Sequence, residues 1–153
     1  MRTTDALIVR PASEDDLPAI LDLYAQTGMN GGVTMSADRA RALFQRIAGY
    51  PDYGLYVVAD RDGTVVATYA LLIMDNIAHN GAPLSIVEQV CVATSAQGTG
   101  LGTLMMHHAM DVSRARGCYK LALSSNVKFE RAHAFYDKLG FQRHGYSFVV
   151  DLK

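Results

Sequence analysis

The sequence predicts an α+β fold, in which about four helices flank a mixed, mostly antiparallel central sheet. Three observations predict this fold. The chain has 153 residues, which is the size of one domain. Its segments follow the order strand, helix, helix, three strands, helix, strand, helix, strand. A hairpin signal is combined with strand–helix–strand crossings, which favours a mixed sheet over an all-parallel one. We therefore expect residues 1–153 to form a single domain.

The first half of the chain contains a strand, two helices and a hairpin. ALIVRPA has the composition of a strand, and Ser13 is placed to cap a helix that runs to about Gln26. After the glycine-rich loop TGMNGGVTM, Ser36 is placed to cap a second helix, SADRARALFQRIAGY. Two β-rich runs, in GLYVVADRDGTVVATYALLIM, flank the pair Asp62 and Gly63, which is typical of a tight hairpin turn.

The second half alternates strands with helices. After the polar loop NIAHNGAPL, the segment SIVEQVCVAT is rich in branched residues and predicts a strand. A helix is expected from about Gly100 to Arg116, closed by Gly117. CYKLALSS predicts a strand, VKFERAHAFYDKLG a helix that ends at Gly140, and FQRHGYSFVVDLK a final strand region.

Composition excludes several classes of function. The chain is 50% hydrophobic and 19% charged with a net charge of −1, so it is globular and has no general attraction to nucleic acid or anionic membranes. No stretch approaches the ~20 apolar residues of a membrane span. Cys91 and Cys118 each lie in an apolar run. We expect two reduced thiols and a cytoplasmic protein.

Three glycines at alternate positions, Gly98, Gly100 and Gly102, stand just before the predicted third helix. They could form a plain tight turn, a dinucleotide-binding fingerprint or a cradle for a pyrophosphate. The nucleotide-triphosphate loop motif is absent, and the sixth position of a fingerprint beginning at Gly98 is Thr103 rather than glycine. A plain turn needs one or two glycines. Because helix N-termini offer free N–H donors to anions, the pattern favours the cradle.

QGTGLG, residues 97–102, resembles the coenzyme-binding element of the GCN5-related N-acetyltransferases, the GNAT family. IVEQVCV resembles the strand before that element, GCYKLAL the strand after it, and AHAFYDKLGF the late helix and turn. The resemblance spans about residues 86–148. EQVCV…QGTGLG…GCYK is also similar in spacing to glucosamine-phosphate acetyltransferases, and SSNVKFERAHAFY to aminoalkylphosphonate acetyltransferases.

The resemblance implies an acetyltransferase that moves an acetyl group from acetyl-coenzyme A to a primary amine of a small molecule, by direct attack in a ternary complex. Alternatives are a protein or peptide N-acetyltransferase and a non-catalytic acyl-coenzyme A-binding module. A homodimer is compatible with the family. The residues implied to contact the coenzyme are Val90, Cys91, Val92, Gln97, Gly98, Thr99, Gly100, Leu101, Gly102, Thr103 and Asn126.

Glu88 is the one carboxylate in the apolar strand LSIVEQVCV. It either points outward on a polar face or acts as a general base for the incoming amine, directly or through water. Strict alternation along a strand would place Glu88, Val90 and Val92 on one face, beside the proposed thioester position.

Tyr136 and Asn126 each have a structural and a functional interpretation. Tyr136 is either a helix residue that packs in the core or, from the matching family tyrosine, the general acid for the coenzyme thiolate. Asn126 is either a helix cap or a hydrogen-bond partner of the pantetheine.

Histidine and methionine give weaker signals. We expect His107 to be solvated and His108 to be packed, and adjacent helix positions cannot chelate one metal readily; no metal site is predicted. Met29 and Met35, the His79 loop and the last strand are expected to line the acceptor pocket.

Overall fold

A computed structural model describes residues 7–153 and confirms the α+β class. The described elements are, in order, β1 Ile8–Pro11, α1 Leu17–Thr27, α2 Ala37–Ala48, β2 Tyr53–Ala59, β3 Val65–Met74, β4 Leu84–Val92, α3 Leu101–Ala115, β5 Leu121–Ala122 and α4 Glu130–Lys138. The chain separates into two compact units, residues 1–122 and 123–153. A single domain over residues 1–153 stays a prediction.

The first unit contains a five-stranded sheet in the order β1-β2-β3-β4-β5, together with α1, α2 and α3. Neighbours are antiparallel except for β4 and β5, which are parallel. The predicted hairpin joins β2 to β3, and Gly63 takes a φ of 82° at its turn, where a side chain would be strained. β5 is shorter than CYKLALSS predicts, since only Leu121 and Ala122 pair with β4.

Helices contact both faces of the sheet at its centre. α1 contacts β3 and β4, and α3 contacts the same two strands. Cys91 identifies the α1 face, because its Sγ lies 3.4 Å from Thr27 Oγ1. Ser85 identifies the α3 face, because its Oγ lies 2.7 Å from Ser113 Oγ.

A hydrogen-bonded pair, the buried Tyr69 and the half-buried His108, connects β3 to α3. The Tyr69 hydroxyl oxygen and Nδ1 of His108 lie 2.6 Å apart and share a hydrogen bond, and the His108 imidazole meets the Tyr56 ring edge-on with centroids 5.0 Å apart. Burial lowers the pKa of His108, which favours the neutral imidazole. His108 is therefore packed as predicted, and His107 is exposed as predicted.

The buried carboxylate of Asp16 connects the segment before α1 to β1. Asp16 accepts two hydrogen bonds from the Arg10 guanidinium, at 2.7 and 2.8 Å, and one from Ser13 N at 2.8 Å. Those donors favour the ionised carboxyl, and the Arg10 hydrogen bonds are the main reason that the pKa of Asp16 falls from 3.8 to about 2.

We expect this depressed pKa to make folding acid-sensitive. The ion pair stabilises the fold fully above pH 3.8 and loses its effect as pH falls toward about 2. The shift corresponds to about 2 kcal/mol. Asp16→Asn should lower the free energy of unfolding by about that amount at pH 7 and much less near pH 2, measured by urea denaturation. Asp38→Asn, at an exposed carboxylate, is the control; equal losses for Asp16→Asn at both pH values would contradict this account.

The second unit contains α4 and the C-terminal segment. α4 begins at Glu130, with Phe129 at the cap position, later than the sequence predicts. Its Tyr136 ring packs within the unit against Phe135 and Phe141, with centroids 5.2 and 5.5 Å away.

The prediction of a final strand in FQRHGYSFVVDLK is wrong for the single chain, because no residue after Phe141 is in a strand. A strand requires a neighbour for its backbone groups, and within the described residues none pairs with this segment.

Candidate active site

The strand β4 is interrupted by a bulge directly after Glu88. Glu88 is opposite Ala70 on β3, whereas Cys91 is opposite Thr68, so two residues of β4 face Tyr69 alone. Gln89 takes a φ of 54° at this point. A non-glycine residue in the left-handed region is strained, and such residues concentrate at functional sites.

The bulge changes which side chains share a face. Thr68 and Ala70 are two residues apart on β3 and lie on one face, so their partners Cys91 and Glu88 lie on that face too. Val90 is opposite Tyr69 and lies on the α3 face. The expectation that Glu88, Val90 and Val92 share a face is therefore wrong, because the extra residue inverts the alternation.

Aromatic side chains accompany Glu88 on the α1 face. Burial raises the pKa of Tyr53, and the negative charge of nearby Glu88 raises it further. Burial likewise raises the pKa of Tyr24 to about 12, with small contributions from Cys91 and Tyr53. The Met29 sulfur lies 3.8 Å from Cys91 Sγ. A carboxylate, two phenols, a thioether and a thiol thus line one area, which we call the Glu88 face: Tyr24, Met29, Tyr53, Glu88 and Cys91.

The predicted acceptor-lining segments are not all brought to this face. Met35 instead lines a cavity of about 490 Å³ beside α1 and α2. His79 stacks on Tyr119 with ring centroids 4.1 Å apart, before the start of β4. Within the first unit, only Met29 of these predicted residues joins the Glu88 face.

β4 also has a free edge. On the side away from β3, it pairs with β5 only through Ser85 and Ile86. Within the described chain, residues 87–92 have no strand partner on that side, although one alternating set of their backbone groups must point there. Val90 and Val92 therefore belong to a stretch with main-chain groups available to a ligand.

The glycine-rich loop follows this open stretch immediately. Gly98 and Gly100 have φ values of 75° and 88°, and a Cβ built at either one would meet no atom within 4 Å. Gly100 is the cap residue of α3, and the first bond inside the helix runs from Leu104 N to Gly100 O.

The first turn of α3 consequently presents three backbone N–H groups at its open end, those of Leu101, Gly102 and Thr103. They carry the positive end of the helix dipole and suit an anion. Around the loop, the Thr99 hydroxyl bonds to Ala96 O, and Gln97 Nε2 lies 3.5 Å from Val92 O. The predicted coenzyme residues of the first unit are thus contiguous, from the open edge of β4 to the first turn of α3.

The remaining predicted residues, Asn126 and Tyr136, lie in the second unit. Asn126 does not cap α4; its Oδ1 accepts from Lys128 N at 3.1 Å, and its main-chain oxygen lies 2.9 Å from His133 Nε2. Burial raises the pKa of Tyr136, so its phenol carries a proton at neutral pH.

Sequence reasoning missed Tyr24, Tyr53 and Gln89. Their relation to Glu88 depends on the bulge, and nothing in the letters EQVCV marks Gln89 for a positive φ. The described residues contain no group of three or more histidine, cysteine, aspartate or glutamate side chains suited to a metal ion.

The described site thus combines a bulged strand with an open edge and a glycine-capped helix start whose free N–H groups suit an anion. The model of the acetyltransferase (GNAT) family matches residues 18–141. The chain belongs to this family, whose named members are acyltransferases.

Individual proteins agree with this assignment. A glucosamine 6-phosphate N-acetyltransferase of Trypanosoma brucei brucei is 34% identical over 90 residues, which are 59% of this chain and 59% of that protein. The 5-NmdU N-acetyltransferase of Pseudomonas phage PaMx11 is 30% identical over 141 residues, 92% of this chain and 91% of that protein. The crystal structure of a Trypanosoma brucei acetyltransferase has a TM-score of 0.84 and 27% identity, covering 95% of this chain and 99% of that one. The predicted resemblance to the family, with its similarity to glucosamine-phosphate acetyltransferases, is confirmed.

Proposed function

We propose that this protein transfers the acetyl group of acetyl-coenzyme A to a primary amine of a small molecule. The observation that supports this proposal is that the open edge of β4 leads directly into the glycine-rich loop and the first turn of α3. The pyrophosphate would accept hydrogen bonds from the N–H groups of Leu101, Gly102 and Thr103. The pantetheine would follow the open edge, with backbone groups of Val90 and Val92 holding the thioester.

The acetyl group would pass directly to the amine. The amine nitrogen forms a bond to the carbonyl carbon, the carbon–sulfur bond breaks, and the amine loses a proton while the departing thiolate gains one. We assign proton removal to Glu88, alone or through water, and proton delivery to Tyr136. Cys91 is only 1% exposed, and burial raises the pKa of its thiol, which disfavours a covalent acetyl-cysteine.

The Glu88 face is our proposed acceptor side of the site. A carboxylate beside two aromatic rings suits a cationic ammonium before it loses its proton. Because relatives are named glucosamine 6-phosphate N-acetyltransferases, an amino-sugar phosphate is the first acceptor to test. The two free cysteines favour a cytoplasmic protein. Among the described residues, no helix is both long enough and apolar enough to cross a membrane.

An amine panel tests the proposal. Purified protein and acetyl-coenzyme A would be incubated with amino sugars, their phosphates, other small primary amines and peptides with free N-termini, and release of the coenzyme thiol would be measured. Small amines should be acetylated. If only the peptides were acetylated, the acceptor would be a peptide rather than a small-molecule amine. If the protein bound the coenzyme but acetylated nothing, a binding module would be favoured.

Gly100→Val tests the phosphate cradle. Valine disfavours a φ of 88° and should displace the N–H groups that follow. We expect the affinity for acetyl-coenzyme A to fall at least tenfold, about 1.4 kcal/mol, in calorimetric titration. Gly117→Val, at the other end of α3 with a φ of 74°, controls for general strain. A folded Gly100→Val variant with normal affinity would reject the cradle.

A further inference from the structure

The sheet carries a group of apolar side chains beside Glu88 that are only half-buried. Alternate residues of a strand share a face, so the face that carries Glu88 also carries two pairs of apolar residues nearer the β3–β4 loop. All four side chains are half-buried. We call them the apolar patch: Leu72 and Met74 of β3, and Leu84 and Ile86 of β4.

The surroundings of the apolar patch are more deeply buried. Directly behind it, on the α3 face, Leu71, Ile73 and Val87 are between 2% and 7% exposed. On its own face, the end that α1 contacts is buried too, since Thr68 and Cys91 are 0% and 1% exposed. The apolar patch is thus the part of this face where apolar side chains of β3 and β4 remain accessible to a ligand.

The apolar patch is continuous with the carboxylate. Leu84, Ile86 and Glu88 alternate along β4 before the bulge, and Tyr53 of β2 is opposite Leu72. From Leu84 to Glu88 the strand extends about 13 Å, and β3 adds a second row of side chains about 4.8 Å to the side. This area accommodates an elongated molecule with one end at Glu88.

The two parts of this surface favour different chemical groups. The Glu88 carboxylate attracts a cationic ammonium and repels a phosphate. Covering the apolar patch with hydrocarbon is favourable, whereas hydroxyl or phosphate groups placed there would lose water without gaining a partner. A primary amine with an apolar body matches both parts, and an amino-sugar phosphate matches only the carboxylate.

We propose that the acceptor is a primary amine with a hydrocarbon chain or ring, bound with its ammonium at Glu88 and its hydrocarbon on the apolar patch. This inference rests on the proposed acetyl transfer and names the acceptor class for it. The reaction is unchanged: the amine nitrogen gains the acetyl group and loses a proton, and the coenzyme leaves as the free thiol.

The first test is a series of n-alkylamines from propylamine to octylamine, titrated by calorimetry into the full-length protein saturated with coenzyme A. Full burial of one methylene strengthens binding about fourfold, and a surface open on one side should retain about half of that free energy, about twofold per methylene. Hexylamine should therefore bind about eightfold more tightly than propylamine. Equal affinities along the series, as expected if a second copy of the chain covers the patch, would overturn the proposal.

Three substitutions separate the apolar patch from the carboxylate. Ile86→Thr places a hydroxyl on the patch and should reduce the hexylamine-to-propylamine affinity ratio to about twofold. Val9→Thr, a similar change at a half-buried position of β1, should leave the ratio unchanged. Glu88→Gln should weaken both amines by a similar factor and also preserve the ratio.

Circular dichroism would verify that each variant is folded. A folded Ile86→Thr variant with the native affinity ratio would overturn the proposal. The amine series on the native protein decides the question even if Ile86→Thr does not fold.

Acetylation assays distinguish a failure of this inference from a failure of the proposed function. Hexylamine should have a kcat/KM at least about tenfold higher than glucosamine 6-phosphate, in line with its expected affinity advantage. A higher value for glucosamine 6-phosphate would overturn the acceptor class and leave the acetyl transfer standing. Chain-length-dependent binding without release of coenzyme thiol would support the amine site and reject the acetyl transfer.

Discussion

Replacing Tyr136 by phenylalanine is expected to reduce turnover by roughly 100-fold, a typical contribution of one acid–base group. The substitution keeps the ring, which packs against Phe135 and Phe141, and removes only the hydroxyl. Because burial raises the pKa of Tyr136, the native phenol is protonated throughout the neutral range, which is the state that the proposed proton delivery to the thiolate requires.

Single-turnover kinetics with saturating substrates would isolate the chemical step, and calorimetry would follow coenzyme affinity, which should change much less. Tyr119→Phe removes a hydroxyl from a partly exposed tyrosine and should leave turnover intact. If Tyr136→Phe behaved like this control, Tyr136 would be a packing residue.

Glu88→Gln should also reduce turnover strongly, about 100-fold near neutral pH. An ammonium with a pKa near 10 is only about 0.1% free amine at pH 7, so a proton acceptor matters most there. The loss should shrink as pH approaches the pKa of the amine, where free amine becomes abundant. Glutamine keeps the shape of the side chain on the Glu88 face but cannot take up a proton.

The pH profile of kcat/KM for the amine is the decisive measurement. Glu130→Gln, at an exposed glutamate of α4, controls for loss of one negative charge. A constant deficit at every pH would indicate that Glu88 only positions the amine. If Glu88→Gln kept full activity at every pH, water, a backbone carbonyl or another side chain would have to remove the proton.

The sequence predicted correctly those features that depend on the backbone conformation of a few neighbouring residues. Asp62 and Gly63 predicted the β2–β3 turn, and Gly100 predicted the start of α3, because positive φ values leave a direct signature in residue type. The packed His108 and the exposed His107 followed from helical periodicity.

Features that depend on distant pairing could not be predicted. The bulge at Gln89 exists because β4 meets β3 in a shifted register, and glutamine gives no sign of it. The face of Glu88 was misassigned for that reason. CYKLALSS and FQRHGYSFVVDLK both have strand composition, but strand formation depends on an available neighbour as well as on composition. The position of Tyr136 on a helix was predictable, whereas its role still rests on family resemblance.

The two left-handed glycines of the glycine-rich loop, Gly98 and Gly100, also determine which substitutions that loop can accept over generations. At Gly98 and Gly100 the surrounding space is empty, so the penalty comes from the backbone and falls on alanine almost as heavily as on larger residues. Gly54 is different, because a Cβ there would approach the Tyr56 ring to 2.9 Å, and a smaller residue at position 56 would relieve the contact. A substitution at Gly54 can therefore be compensated by a second substitution at Tyr56. No change in a neighbouring side chain can relieve the penalty at Gly98 or Gly100, which leaves asparagine as the mildest replacement available to the loop.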